Sequence, residues 1–137
     1  MSESSQHFEF VNLLIQYAKT IVSSDRSALL IFDKPESQEK PPKTLEGFIP
    51  DLYYNDGNMQ IIGEAKSFDD VVRNHSLAQY ESYYKQAIAF EGVSIIIISC
   101  PIYSRNTVKN AFLRTRKKFT KNIPVHFVSE WGDMEIL

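Results

Sequence analysis

Apolar residues recur at helical spacing between Gln6 and Val22, at Phe10, Leu13, Leu14, Tyr17, Ala18 and Ile21, so an amphipathic helix is predicted there. Ala28 to Phe32 (ALLIF) reads as a short buried strand, and Asp33 to Lys43, rich in Pro and charge, as a loop. Gly47 to Tyr54 and Met59 to Lys66 read as strands. Between them Asn55-Asp56-Gly57-Asn58 is a strong hairpin signal, because Gly and Asn tolerate positive φ. Ser67 to Asn74 is a polar connection. Ser76 to Phe90 reads as a helix, with Ser76 as its cap and Gln79 at the third position of a capping box. Val93 to Ser99 (VSIIIIS) is β-branched on both faces, as a central strand covered on both sides would be. Ser104 to Thr120 carries Val108, Ala111, Phe112, Thr115 and Phe119 along one helical face, and Val125 to Val128 reads as a last short strand.

The order α-β-β-β-α-β-α-β describes an α/β protein, a mixed sheet flanked by helices on both faces. The 137 residues suit one domain with one core, spanning 1–137, and no internal repeat divides them. No apolar run approaches the length of a membrane span, and the N-terminus lacks the basic start and apolar stretch of a signal peptide. Cys100 is the one cysteine, which excludes an internal disulfide and a cysteine metal cluster. An intracellular, cytoplasmic protein is the expectation.

The hairpin carries the first candidate chemistry. A turn centred on Gly57-Asn58, or the longer Asp56 to Met59 loop, places Asp51 directly opposite Glu64. Opposed residues of an antiparallel pair point to one face. Lys66 shares that face with Glu64, because side chains alternate along a strand. One hairpin thus gathers two carboxylates and an amine at the edge of an apolar surface formed by Ile49, Tyr53 and Ile62. Two close, partly buried carboxylates repel, and a divalent cation offsets that repulsion. Mg²⁺ favours one or two carboxylates together with waters and phosphate oxygens. A lysine beside such a site can orient or deprotonate a water, or offset charge in a transition state. A salt-bridged cluster on a solvated hairpin is the competing reading.

Pro50-Asp51, followed by Glu64-Ala65-Lys66 on the next strand, resembles the signature of the PD-(D/E)xK nuclease superfamily, whose restriction-endonuclease-like fold has an αβββαβ core. The resemblance covers roughly Gln6 to Ser99. Gln79 and Tyr83 on the following helix resemble the Q-x-x-x-Y element of an exonuclease-like branch. The resemblance implies a metal-dependent phosphodiesterase using Mg²⁺ or Mn²⁺, with DNA the expected substrate. It implies that Asp51 and Glu64 hold the metal with the Ala65 carbonyl, that Lys66 positions the attacking water, and that Gln79 and Tyr83 contact the metal surroundings or a phosphate. Glu9 resembles the acidic residue that many members place beside the metal. Gln79 also fits a purely capping role, Tyr83 a packing role, and Glu9 a solvated helix position. His75 shares a helix face with Gln79 and Tyr83, and reads more simply as a loop or cap residue. The iron–sulfur cysteines of some relatives with this element are absent, so no cluster is expected.

Charge adds a second candidate surface. The chain carries a net −2, yet Gly92 to Ser129 contains no acid and seven basic residues. The remainder holds eight basic against seventeen acidic residues, a net of −9. Arg105, Lys109, Arg116, Lys117 and Lys121 lie off the apolar stripe of their helix or just beyond it, and are expected to track a nucleic-acid backbone. A solvated helix face is the competing reading. Specificity is expected from substrate shape, from dimerisation or from a protein partner. A catalytically inactive module of the same fold, binding nucleic acid or a protein, is the alternative to a nuclease.

Overall fold

The computed structural model describes residues 2–35, 37–67 and 74–137, without the side chains of 2–5, 74 and 75. Helix α1 (Ser2–Ile21) is followed by a 3-10 turn (Ser24–Leu29), then strands β1 (Ile31–Phe32), β2 (Leu52–Asn55) and β3 (Met59–Ala65). Helix α2 (Asn74–Ala89) leads to β4 (Val93–Ser99), a second 3-10 turn (Ile102–Ser104) and α3 (Arg105–Arg116), and the chain closes with β5 (Val125–Val128) and β6 (Met134–Ile136). The six strands among the described residues form one sheet in the order β1-β2-β3-β4-β5-β6. Strands β3, β4 and β5 run parallel, and the outer pairings are antiparallel. This is the α/β architecture read from the sequence. No helix among the described residues is long and apolar enough to cross a membrane.

Alternation along the strands divides the core in two. Leu52, Tyr54, Ile61, Ala65 and Ile97 point towards Phe10, Val11, Leu14 and Ala18 of α1. Ile62, Ile96, Ile98 and Phe127 point the other way, towards Tyr80, Tyr83, Tyr84 and Ala87 of α2 and Val108 and Phe112 of α3. The central strand β4 is covered on both sides, as its β-branched run requires. Gly63 lets α1 approach closely, since a Cβ there would stand 2.9 Å from Leu14 Cδ1. Gly92 likewise admits the backbone of the hairpin turn, since its Cβ would stand 2.2 Å from the Asn58 carbonyl oxygen.

The structure differs from the sequence reading at several places. ALLIF is mostly a 3-10 turn, and only Ile31 and Phe32 pair with β2. The Ser27 hydroxyl donates to the Ser24 carbonyl at 2.9 Å, holding the segment in a local turn. Gly47 to Asp51 is not strand. Gly47 adopts φ of 92°, the chain curls through Thr44–Phe48 and Gly47–Thr44 backbone bonds, and Pro50 has no N–H to offer a ladder. Helix α2 begins at Asn74, so Ser76 lies within its first turn and is not the cap. Helix α3 ends at Arg116, where tighter Lys118–Thr115 and Phe119–Arg116 bonds take over. Val125 to Val128 is not the last strand, for β6 pairs beyond it. Within the polar connection Ser67 to Asn74, residues 68–73 lie outside the described residues, as does the side chain of His75.

Candidate active site

The hairpin register is fixed at its turn. The Asp56 carboxylate accepts the N–H groups of Asn58 and Met59 at 2.9 and 2.8 Å and the Tyr54 hydroxyl at 2.6 Å, and pairs with Arg26 at 3.0 Å. The Tyr54 bond and these N–H bonds hold its carboxyl well below the usual carboxylate range. Gly57 supplies the positive φ, 89°, that the turn needs. The pairing that follows is Leu52 with Gly63, Tyr53 with Ile62 and Tyr54 with Ile61. Continued by one residue, that register sets Asp51 opposite Glu64. The Asp51 carbonyl accepts the Asp33 N–H at 3.0 Å, which anchors the backbone just ahead of β2.

Asp51, Glu64, Lys66, Gln79 and Tyr83 are all buried and meet at the end of β3. Asp51 Oδ2 accepts the Ala65 N–H at 2.9 Å. Glu64 Oε1 accepts the Tyr83 hydroxyl at 2.8 Å, and Glu64 Oε2 lies 3.7 Å from Lys66 Nζ. Lys66 Nζ donates to Gln79 Oε1 and sits 6.0 Å from the centroid of the Tyr80 ring. Gln79 therefore spends its amide oxygen on Lys66, not on a helix cap. Helix α2 braces the hairpin from the far side of the site. Each brace binds one member of the acid–amine pair.

Burial and the nearby Asp51 charge push the Glu64 carboxyl well above its ordinary value, against the opposing pull of Lys66 and Tyr83. Burial also raises the Tyr83 hydroxyl, and the Glu64 charge adds to it, so Tyr83 remains a donor at any ordinary pH. The native state thus holds a proton on Glu64 more tightly than the unfolded chain does. Stability then falls as pH rises from the unfolded glutamate value of 4.5 towards the higher native one. In metal-free buffer the protein is expected to melt at a higher temperature near about pH 5 than near about pH 8. Glu64→Gln keeps the Tyr83 hydrogen bond and removes the titration, so its melting profile should be flatter over that range. Parallel slopes for the two proteins would show that Glu64 is not the source.

The sequence reading missed His7. Its Nε2 lies 3.5 Å from Asp51 Oδ1, from the opposite side of the sheet to α2. A signal was available: His7 continues the apolar stripe of Phe10, Val11 and Leu14, where a polar residue stands out. Glu9, by contrast, is exposed on α1. Among the described residues no three His, Cys, Asp or Glu side chains converge as a metal-binding group. The donors present are two opposed carboxylates, and their chemistry fits a hard cation that completes its shell with carbonyl, water or substrate oxygen.

The basic stretch is arranged differently from the expectation of an open cationic face. Arg105 is buried and grips Asp133 with two hydrogen bonds, at 2.9 and 3.2 Å, with Glu135 3.7 Å away. Lys109 pairs with Glu135. Arg116 donates to the carbonyls of Ile123 at 2.8 Å and Leu137 at 3.3 Å. Lys117 and Lys121 are exposed. Acids beyond the acid-free segment, on β6 and the turn before it, thus meet its first basic residues. Arg105→Ala is expected to cost about 1–3 kcal/mol, the worth of hydrogen bonds to a charged group at a partly exposed pair. Urea unfolding measures it, and an unchanged midpoint would remove Arg105 from the structural account.

Against protein-family models, curated proteins and solved structures, the chain matches none. Function is therefore argued from the site alone.

Proposed function

We propose that the chain is a divalent-metal-dependent nuclease with a restriction-endonuclease-like core, hydrolysing phosphodiester bonds in DNA. One observation carries the reading: Asp51 and Glu64 are held buried and opposed, with the Lys66 amine 3.7 Å from Glu64. A structural cluster gains nothing from two buried carboxylates, the Asp51 charge raising the proton affinity of Glu64. A cation-binding site needs them.

Asp51 and Glu64 would hold Mg²⁺ or Mn²⁺, with the Ala65 carbonyl as a further donor. When bound, the ion supplies Lewis acidity toward the phosphate and lowers the pKa of a water. The Ala65 N–H fixes the Asp51 carboxylate through Oδ2, and the Tyr83 hydroxyl fixes Glu64 through Oε1. Gln79 holds Lys66 by accepting from its amine, leaving the remaining N–H groups of that amine for a water or a phosphate oxygen. Burial strengthens each of these interactions, because little water competes. The assay is purified protein with Mg²⁺ or Mn²⁺ on linear, circular, branched and single-stranded DNA, beside a chelator control. Metal-dependent cleavage is expected. Complete inertness together with retained DNA or protein binding would favour the inactive-module reading.

A further inference from the structure

The loops after β4 and β5 leave the sheet at the same end as the candidate active site. Strands β3, β4 and β5 are parallel, and they finish in step: Lys66 N–H donates to the Ser99 carbonyl at 2.8 Å, and Cys100 N–H to the Val128 carbonyl at 3.1 Å. The loops after β4 and β5 each present one large aromatic residue to solvent. Tyr103 is 68% exposed and Trp131 is 76% exposed.

These loops are firmly built. The Glu130 carboxylate accepts the Ile102 N–H at 2.9 Å and ties the two together, one residue before each ring. The turn after β5 closes with Gly132 at φ of 78° and a Gly132–Ser129 backbone bond of 3.0 Å. The Ser129 hydroxyl accepts the Trp131 N–H at 3.2 Å, and Arg105 clamps Asp133. Both carboxylates of the turn, Glu130 and Asp133, are engaged by donors of the protein itself. Tyr103 and Trp131 stand largely exposed beside them.

We infer that Tyr103 and Trp131 form a stacking platform for the bases of single-stranded nucleic acid, leading towards Asp51, Glu64 and Lys66. Every base has a π-face, so such a platform accepts any sequence but requires unpaired bases. The inference rests on the nuclease reading and narrows its substrate to single strands or to duplexes with unpaired ends. Protein partners also favour aromatic anchors, but continuity with the carboxylate site favours the nucleic acid.

Trp131 is the one tryptophan of the chain, so its fluorescence reports this site alone. The experiment titrates the full chain, in chelator, with a thymidine oligonucleotide of about 15 residues and with a blunt duplex, a length within the usual site size for such surfaces. Saturable quenching by the single strand, with weaker quenching by the duplex, is expected. With a labelled oligonucleotide, Trp131→Ala and Tyr103→Ala should each weaken binding on the order of 10-fold, and Trp131→Phe should largely restore it. Wild-type affinity in both alanine variants, or no quenching, would overturn the platform. So would sedimentation showing that Trp131→Ala dissociates a dimer without changing oligonucleotide affinity. Cleavage without quenching would remove the platform and leave the nuclease reading standing. Quenching by a protein that neither binds Mn²⁺ nor cleaves would do the reverse.

Discussion

Lys66→Ala should lower turnover by about 10²–10⁴-fold, the usual range for a group acting on the proton or charge of the reacting centre. The side chain is buried beside Glu64, 3.7 Å away, and its amine is held by Gln79. As an ammonium it offers donors and no lone pair, so its loss should spare cation affinity. The effect should therefore fall on kcat at saturating metal, with Mn²⁺ affinity changed only a few-fold. Lys66→Met, which fills the same space, separates the loss of the amine from the loss of packing. Turnover at the wild-type rate in both variants would exclude Lys66 from the chemistry.

Asp51→Asn and Glu64→Gln should each abolish measurable cleavage and weaken Mn²⁺ binding by at least about 10- to 100-fold, the cost usually seen for losing even an outer-shell partner. Neither change should unfold the protein. An Asn at 51 can still accept the Ala65 N–H, and a Gln at 64 can still accept the Tyr83 hydroxyl. Each also removes one of two mutually repelling charges from a buried place, so the metal-free variants should be at least as stable as the parent. Calorimetric titration beside thermal melts measures both. Unchanged affinity in both variants would remove these carboxylates from the metal site and leave the opposed pair without a purpose.

The hairpin was legible because its information is local. A four-residue turn and strict alternation suffice to set Asp51 against Glu64, and Leu52–Gly63 pairing agrees. Strand β4 was equally legible, since a β-branched run with breakers on either side leaves little choice, and Val125–Val128 was read as a strand though not as the last but one. The brace from α2 was read in part. The four-residue spacing of Gln79 and Tyr83 put both on one face, yet the bond from Lys66 to Gln79 depends on how the helix lies across the sheet. The contact of His7 with Asp51 depends on α1 docking over Gly63, a tertiary fact that no window of sequence contains. The same holds for the basic segment. Counting charge along the chain suggested an open cationic face, and the partners arrive from β6, whose three residues are too few for periodicity to register. Arg105 and Asp133 are distant in sequence and adjacent in space.

The opposed carboxylates also shape how this chain can change over generations. Most substitutions destabilise a protein, and those that stabilise tend to weaken function where a site is strained. Here the two properties are set against each other at single positions. Asn at 51 or Gln at 64 preserves shape and hydrogen bonding and relieves the repulsion, so the easiest stabilising steps are also the ones that silence the site. A lineage released from the need for the chemistry has a downhill path to an inert, sturdier descendant, one amide at a time. A lineage that keeps both acids must carry their cost in every metal-free molecule, and can offset it only through stability gained elsewhere in the fold.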